Sequence, residues 1–228
     1  RDFIARLHEK NIYVIGRVTV FQDPFYTSIH PELAVQSVSK DIPWQDHKGL
    51  SFVDVSSRPF WEYIVELSKE SYAIGFDELN YDYIRYPSDG PMKDALFVNN
   101  NKAEALEVFF KYLYEHVRPI GVHMSADLFG YTTVLTDDLG IGQQLERALP
   151  YFDYIAPMVY PSHYNSGFAG LANPNTDPYK VVFASMEAAV RRAVSPQTSV
   201  KTLDSTAIFV EEVIPAHYSD THDFVATS

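Results

Sequence analysis

Strand-like and helix-like segments alternate four times along the chain, and this alternation limits the fold more than any other feature. Runs rich in β-branched and aromatic residues are the predicted strands, and they span residues 11–21, 74–84, 122–129 and 152–160. The predicted helices have apolar residues at helical spacing; the first starts at Ser57 with Pro59 in its first turn, and the others span 101–117, 141–149 and 179–194. This alternation predicts an α/β fold with a parallel sheet covered by helices.

Two architectures build a parallel sheet from such an alternation: an open doubly wound sheet and a TIM-type (β/α) barrel. The open sheet usually binds a nucleotide through a glycine-rich first turn, and this sequence has neither that fingerprint nor a P-loop. In a barrel, functional side chains gather at the carboxyl ends of the strands. The polar residues that follow the predicted strands are Asp23, Asp82, Arg85, Asp127, Tyr160 and His163. The sequence therefore predicts a partial (β/α) barrel with four core parallel strands ending near residues 20, 84, 128 and 160.

The segment GFDELNYDYIRYP, residues 75–87, places acidic residues on a strand that is otherwise apolar enough for a core. Because alternate residues of a strand face opposite sides, we expect Asn80 and Asp82 to point into the barrel, as do Ser125 and Asp127 on the next strand. Neighbouring strands lie about 4.8 Å apart, so two inward carboxylates at one height are on the order of 5–8 Å apart. Glycoside hydrolysis uses such a pair, which predicts Asp82 as nucleophile or base and Asp127 as the acid.

Five further polar residues are predicted to bind or orient a substrate: Arg17, Asp54, Arg85, Tyr160 and His163. Four of them have a structural alternative that the sequence leaves open. Asp54 lies in a long connection over 22–57, which is usually functional and includes a short strand-like segment over 50–55, but it also suits the start of the next helix. Arg17 and Arg85 fit ion-pair partners of the carboxylates as well as substrate clamps. His163 fits either a sugar contact or a loop hydrogen bond.

Composition excludes several function classes. The formal net charge is -12 and no basic stripe is visible, which argues against a nucleic-acid partner. The chain has no cysteine, and its eight histidines form no H-x-x-x-H or H-x-H pair, so we expect no metal site and no cofactor. No G-x-S-x-G elbow occurs, which argues against a serine hydrolase. No apolar run is long enough to span a membrane.

Residues 75–87 resemble the signature of a family of glycoside-hydrolase-like (β/α)8 barrels that has been carried as a domain of unknown function. Further blocks agree with the family in order: YVIGRVTVFQDP (13–24), PWQDHKGLSFVDV (43–55), SADLFGYTT (125–133), DDLGIGQQLERALPYFDYIAPMVYPSHY (137–164) and GLANPNTDPY (170–179). The resemblance implies that the Asp82 strand is the fourth of a full barrel. The chain then looks like a fragment holding strands three to six, with a partial barrel over residues 1–198 and a divergent tail over 199–228.

The resemblance also implies a carbohydrate substrate, and we expect an extracytoplasmic or secreted bacterial protein. The leading hypothesis is a glycoside hydrolase that cleaves a poly- or oligosaccharide by a two-carboxylate acid/base mechanism. The alternative is a non-catalytic carbohydrate-binding or cell-wall-associated barrel. A metal-dependent hydrolase is a third possibility, which loss of activity on chelation would reveal.

Overall fold

The computed structural model describes residues 1–195, and within them the chain alternates strands and helices as the sequence predicts. The helices are α1 (Asp2–His8), α2 (Pro24–Ile29), α3 (Arg58–Ile74), α4 (Lys102–Val117), α5 (Leu145–Ala148) and α6 (Pro178–Ala193). The strands are β1 (Ile15–Thr19), β2 (Gln36–Ser37), β3 (Glu78–Asp82), β4 (Ala95–Leu96), β5 (His123–Phe129) and β6 (Tyr154–Met158). The predicted tail, residues 199–228, lies outside the described residues.

The main sheet has four parallel strands in the order β1-β3-β5-β6. Each new strand is added on the same side of the last, which is the winding of a (β/α) barrel, whereas a doubly wound sheet reverses direction. Within residues 1–195 the sheet does not close on itself. The predicted partial barrel with four core parallel strands is therefore confirmed. Strands β2 and β4 form a separate two-stranded antiparallel pair.

The two faces of β3 have different environments, as the alternation of its side chains predicts. Leu79 and Tyr81 are fully buried towards the helices, and the Tyr81 hydroxyl lies 2.9 Å from the Ser68 hydroxyl of α3. Glu78, Asn80 and Asp82 occupy the opposite face, towards the barrel interior. The helical layer therefore fixes which carboxylates reach the interior.

Aromatic rings form much of the core between the sheet and the helices. The Phe109 ring of α4 lies 4.9 Å from Phe21, just beyond β1, and 5.3 Å from Trp61 of α3. Phe110 packs at 5.3 Å against Phe152, which precedes β6. These contacts tie α3 and α4 to the residues that flank the two outer strands of the sheet, after β1 and before β6.

Two local predictions differ from the structure. The helix predicted over 141–149 is reduced to Leu145–Ala148, because Gly140 and Gly142 have φ of 68° and 84°, which a right-handed helix does not allow. The strand-like segment 50–55 forms only isolated bridges, which Ser51 and Val53 make to neighbouring loops.

In residues 1–195, no helix combines the length and the apolar character needed to cross a membrane.

Candidate active site

A cavity of about 620 Å³ lies where the four main strands end. Every strand contributes to its wall: Arg17 comes from β1, and the last residues of the other three strands also line it. Five of the seven residues predicted for the site lie on this cavity: Arg17, Asp82, Arg85, Tyr160 and His163. The cavity thus has the position that active sites take in barrels of this type.

Asp82 is the last residue of β3 and is almost fully buried. Its Oδ2 accepts a hydrogen bond from the Arg17 guanidinium, and the two form an ion pair. Its Oδ1 accepts from the backbone N–H of Tyr83 at 2.6 Å. Tyr83 has a φ of 49°, a left-handed conformation that costs about 1–2 kcal/mol in a residue with a Cβ. The chain therefore holds a strained turn where the Asp82 carboxylate meets the cavity.

Asp127 lies on β5 at the same height as Asp82. The register pairs Asn80 with Ser125, and the two aspartates each follow two residues later on the same face. The Asp127 Oδ1 accepts a hydrogen bond from the Asn80 amide at 3.1 Å. Burial raises the pKa of Asp127 above its usual value, and the negative charge of Asp82 raises it further, while the Asn80 hydrogen bond and the positive charge of Arg17 act in the opposite direction. Asp127 is not among the residues that line the cavity.

A chain of hydrogen bonds runs along the barrel interior beneath the two aspartates. The Asn80 amide also donates to the Ser125 hydroxyl at 3.1 Å, and Ser125 donates to Glu78. Glu78 accepts a further bond from the Tyr13 hydroxyl at 3.2 Å. Asn80 is thereby held by two partners, so its amide has a fixed direction towards Asp127.

The structure separates the roles of the two arginines, which the sequence left open. Arg17 is the ion-pair partner of Asp82, and this hydrogen bond raises its pKa. Arg85 lies on the cavity wall without an ion pair in the part of the chain that the structure describes. Its guanidinium carbon lies 4.8 Å from the centre of the Phe129 ring and 5.1 Å from that of Tyr83.

Tyr160 and His163 form the rim of the cavity beyond β6. Their rings lie 5.2 Å apart in an edge-on arrangement, and Tyr160 is half exposed. The lining also includes aromatic residues that sequence reasoning did not assign to the site, namely Tyr83, Phe129, Tyr131 and Tyr164. They lie within the sequence blocks 75–87, 125–133 and 137–164. The resemblance of these blocks to the family was the signal that could have identified them.

Asp54 lies apart from the other residues predicted for the site. It is buried, and its carboxylate accepts hydrogen bonds from the backbone N–H groups of Ser56 at 2.8 Å and Val98 at 3.0 Å. It lines a different cavity, of about 490 Å³, at the start of α3. Through these two bonds the Asp54 carboxylate links its own loop to the loop that contains Val98. The structure does not bring Asp54 to the Asp82 cavity.

Comparison with known families identifies the family of this chain. A family model described as "Putative glycosyl hydrolase domain" matches residues 1–203. The chain belongs to this glycosyl hydrolase-like family. Among curated proteins, no significant match was found.

Residues 1–195 of this family member resemble several solved structures. A hypothetical protein from Ruminiclostridium thermocellum is 36% identical, with a TM-score of 0.50, over 61% of this chain and 66% of that chain. The glycoside hydrolase domain of PelA from Pseudomonas aeruginosa is 12% identical, with a TM-score of 0.48, over 83% and 67%. A Group IV chitinase from Ostrinia furnacalis is 15% identical, with a TM-score of 0.48, over 82% and 46%. The matches thus cover from about half to two thirds of these chains.

Potential metal ligands are dispersed over residues 1–195 of this family member. Within residues 1–195, no three or more His, Asp or Glu side chains come together in a way that could hold a metal ion. The Asp82 carboxylate at the cavity is instead bound by an arginine, and the nearby Asp127 carboxylate by an amide.

The variant Asp127→Asn is expected to be more stable than the unchanged protein at neutral pH. Because the folded-state pKa of Asp127 is raised above its unfolded value, the folded state binds the proton more tightly, and stability falls as pH rises from the unfolded to the folded pKa. Asparagine removes this penalty, so thermal melting should show a gain at neutral pH that disappears below about pH 3.9. The exposed Asp41→Asn, which removes one negative charge elsewhere, is the matched control. A stability difference between Asp127→Asn and the unchanged protein that stays constant with pH would contradict the expectation.

Proposed function

We propose that this chain carries the catalytic face of a glycoside hydrolase that acts on a poly- or oligosaccharide with two carboxylates. Asp82 is the nucleophile or base, and Asp127 is the acid that protonates the glycosidic oxygen. The observation that carries the proposal is the difference between their environments. Asp82 is ion-paired to Arg17, whereas burial and the Asp82 charge raise the pKa of Asp127. Such a division favours one carboxylate for charge stabilisation and the other for proton donation.

The surroundings of the two carboxylates support a sugar ligand. The aromatic side chains of the cavity offer flat apolar surfaces, and its volume lies in the range usual for small-ligand sites. Arg17 orients Asp82, while Tyr160 and His163 at the rim are placed to contact substrate. Spacing on the order of 5–8 Å between inward side chains of adjacent strands fits either a retaining or an inverting reaction.

One observation favours a second function, that of a non-catalytic carbohydrate-binding barrel. The Asp127 carboxylate lies against Asn80 and outside the cavity lining, so a sugar in the cavity does not meet it in this arrangement. A glycosidase then requires Asp127 to approach the substrate when the site is occupied, which catalytic groups often do. A binding protein requires no such approach.

A screen of the full-length protein against polysaccharides, with detection of new reducing ends, distinguishes these functions. A glycosidase of the proposed kind releases reducing ends in the presence of a chelator, and its activity falls as pH rises through the pKa of Asp127, because the acid must be protonated. Binding without release identifies the non-catalytic barrel. Activity that the chelator abolishes contradicts the two-carboxylate mechanism and identifies a metal-dependent hydrolase.

A further inference from the structure

Arg85 places a buried positive charge on the cavity wall with no carboxylate to neutralise it. Only 8% of the residue is exposed, and no Asp or Glu oxygen in residues 1–195 lies within 4 Å of its guanidinium. Arginine is rarely buried without a partner, because removing an ion from water carries a large penalty. Since the nearest carboxylate in the cavity, Asp82, is already paired with Arg17, Arg85 has an unused capacity to bind an anion.

The contacts of Arg85 leave one edge of its guanidinium group open. Nη1 donates to the Tyr86 carbonyl at 2.9 Å and to the Ser88 hydroxyl at 3.2 Å. Nε and Nη2 have no acceptor in the described part of the chain, and neither is sealed from solvent. These two nitrogens form the edge of the fork that binds both oxygens of a carboxylate at once.

Aromatic rings and the Nη1 bonds hold this fork in place. The rings of Phe129 and Tyr83 pack near the guanidinium carbon, and Phe52 lies 5.9 Å away. A fork restrained in this way loses little conformational entropy when it binds a ligand. Asp82 and Asp46 act on Arg85 only through longer-range electrostatic attraction. The cavity therefore carries an unpaired cation in a protein whose formal net charge is -12.

We infer that this cavity binds an acidic glycan, with the carboxylate of a uronic acid unit held by the Nε and Nη2 edge of Arg85. The inference rests on the proposed function, since it names the substrate class of the same site. A carboxylate fits better than a sulfate or phosphate ester because the cavity offers one planar fork, and Arg17, the other arginine of its lining, is already paired.

The first test compares acidic sugars with matched neutral ones on the unchanged 228-residue protein. Glucuronate and galacturonate are titrated beside their methyl esters, glucose 6-sulfate and acetate, with binding followed by ligand-observed NMR. We expect one of the uronates to bind about 10- to 100-fold more tightly than its ester, the range given by a charge-assisted bidentate contact. Equal affinity of uronate and ester, no uronate binding, preference for the sulfate, or acetate binding as tightly as the uronate would each overturn the inference.

The second test removes the fork. Arg85→Gln should abolish the preference for the uronate over its ester, and Arg85→Lys should keep only part of it, since lysine retains the charge without the bidentate edge. The exposed Arg6→Gln, which changes the net charge equally, should leave the preference unchanged. Thermal melting shows whether each variant is folded, and a preference that survives in folded Arg85→Gln overturns the inference.

These measurements separate the inference from the proposed function. Uronate binding that depends on Arg85, without release of reducing ends from any acidic polysaccharide, supports the inference and contradicts the hydrolase. Hydrolysis restricted to neutral polysaccharides, with uronate and ester bound equally, supports the hydrolase and contradicts the inference.

Discussion

Replacing Asp82 with asparagine should reduce hydrolysis by about 10²- to 10⁴-fold, the range for loss of a positioned acid–base group, while the stability changes by about 1 kcal/mol or less. The amide oxygen of asparagine can still accept the hydrogen bond from the Tyr83 N–H. Arg17 loses its partner, but 57% of its side chain is exposed, so water can solvate the guanidinium. The substitution removes the negative charge that the proposed reaction uses. Reducing-end release and thermal melting measure the two effects.

Asp23→Asn is the matched control because Asp23 also follows a strand of the sheet and also carries one negative charge. Its side chain accepts from the backbone N–H of Tyr26 at 2.8 Å and caps α2, and it lies outside the cavity lining. Asparagine is an equally good cap. Turnover should therefore remain unchanged in Asp23→Asn. Equal turnover in both variants would contradict the role proposed for Asp82.

The order of the elements could be predicted from sequence because its signals are local. The helix predicted over 101–117 is observed at Lys102–Val117, and Pro59 correctly indicates the first turn of α3. Period-two alternation also separated the two faces of β3, since its helix-facing residues are apolar or aromatic and its interior residues are polar. The alternation therefore assigned adjacent residues of β3 to the correct faces of the sheet without knowledge of the fold.

The partners of the charged residues could not be predicted because they depend on register and on loop paths. Arg17 reaches Asp82 because β1 pairs with β3 so that Arg17 lies opposite Asn80, two residues before the carboxylate. Arg85 follows the left-handed Tyr83, which sends the chain onto the cavity wall and away from the ion pair. Asp54 was assigned to the site from its place in a long loop, and its two backbone hydrogen bonds explain its burial instead.

The cavity wall was incompletely predicted for a similar reason. Phe129 and Tyr131 come from the end of β5 and the turn that follows it, and Tyr164 comes from the segment beyond β6. Tyr131 and Tyr164 meet with ring centres 4.7 Å apart, although 33 positions separate them in the sequence. Sequence pattern indicates that an aromatic residue is apolar, but the fold decides whether it packs in the core or faces a ligand.

Replacing Phe109 with alanine should lower the free energy of unfolding by about 3–5 kcal/mol, the range for a fully buried phenylalanine. Phe109 has no exposed surface, and its ring packs against Phe21 and Trp61, so the variant leaves a cavity at the junction of α3, α4 and the end of β1. Urea unfolding followed by circular dichroism measures the change, which is a large fraction of the stability of a typical domain.

The adjacent Val108→Ala is the control for this prediction because it shortens a neighbouring side chain on the same helix. Val108 is 43% exposed, so its replacement should change stability by less than about 1 kcal/mol. The Phe109 variant should also affect the site, since the backbone N–H of Phe21 donates to the Tyr83 carbonyl at 3.1 Å, beside the strained turn that follows Asp82. Loosening the Phe21 ring therefore weakens support for that turn, and ligand affinity should fall in Phe109→Ala while Val108→Ala retains it. Equal stability losses in the two variants would contradict the placement of Phe109 in the core.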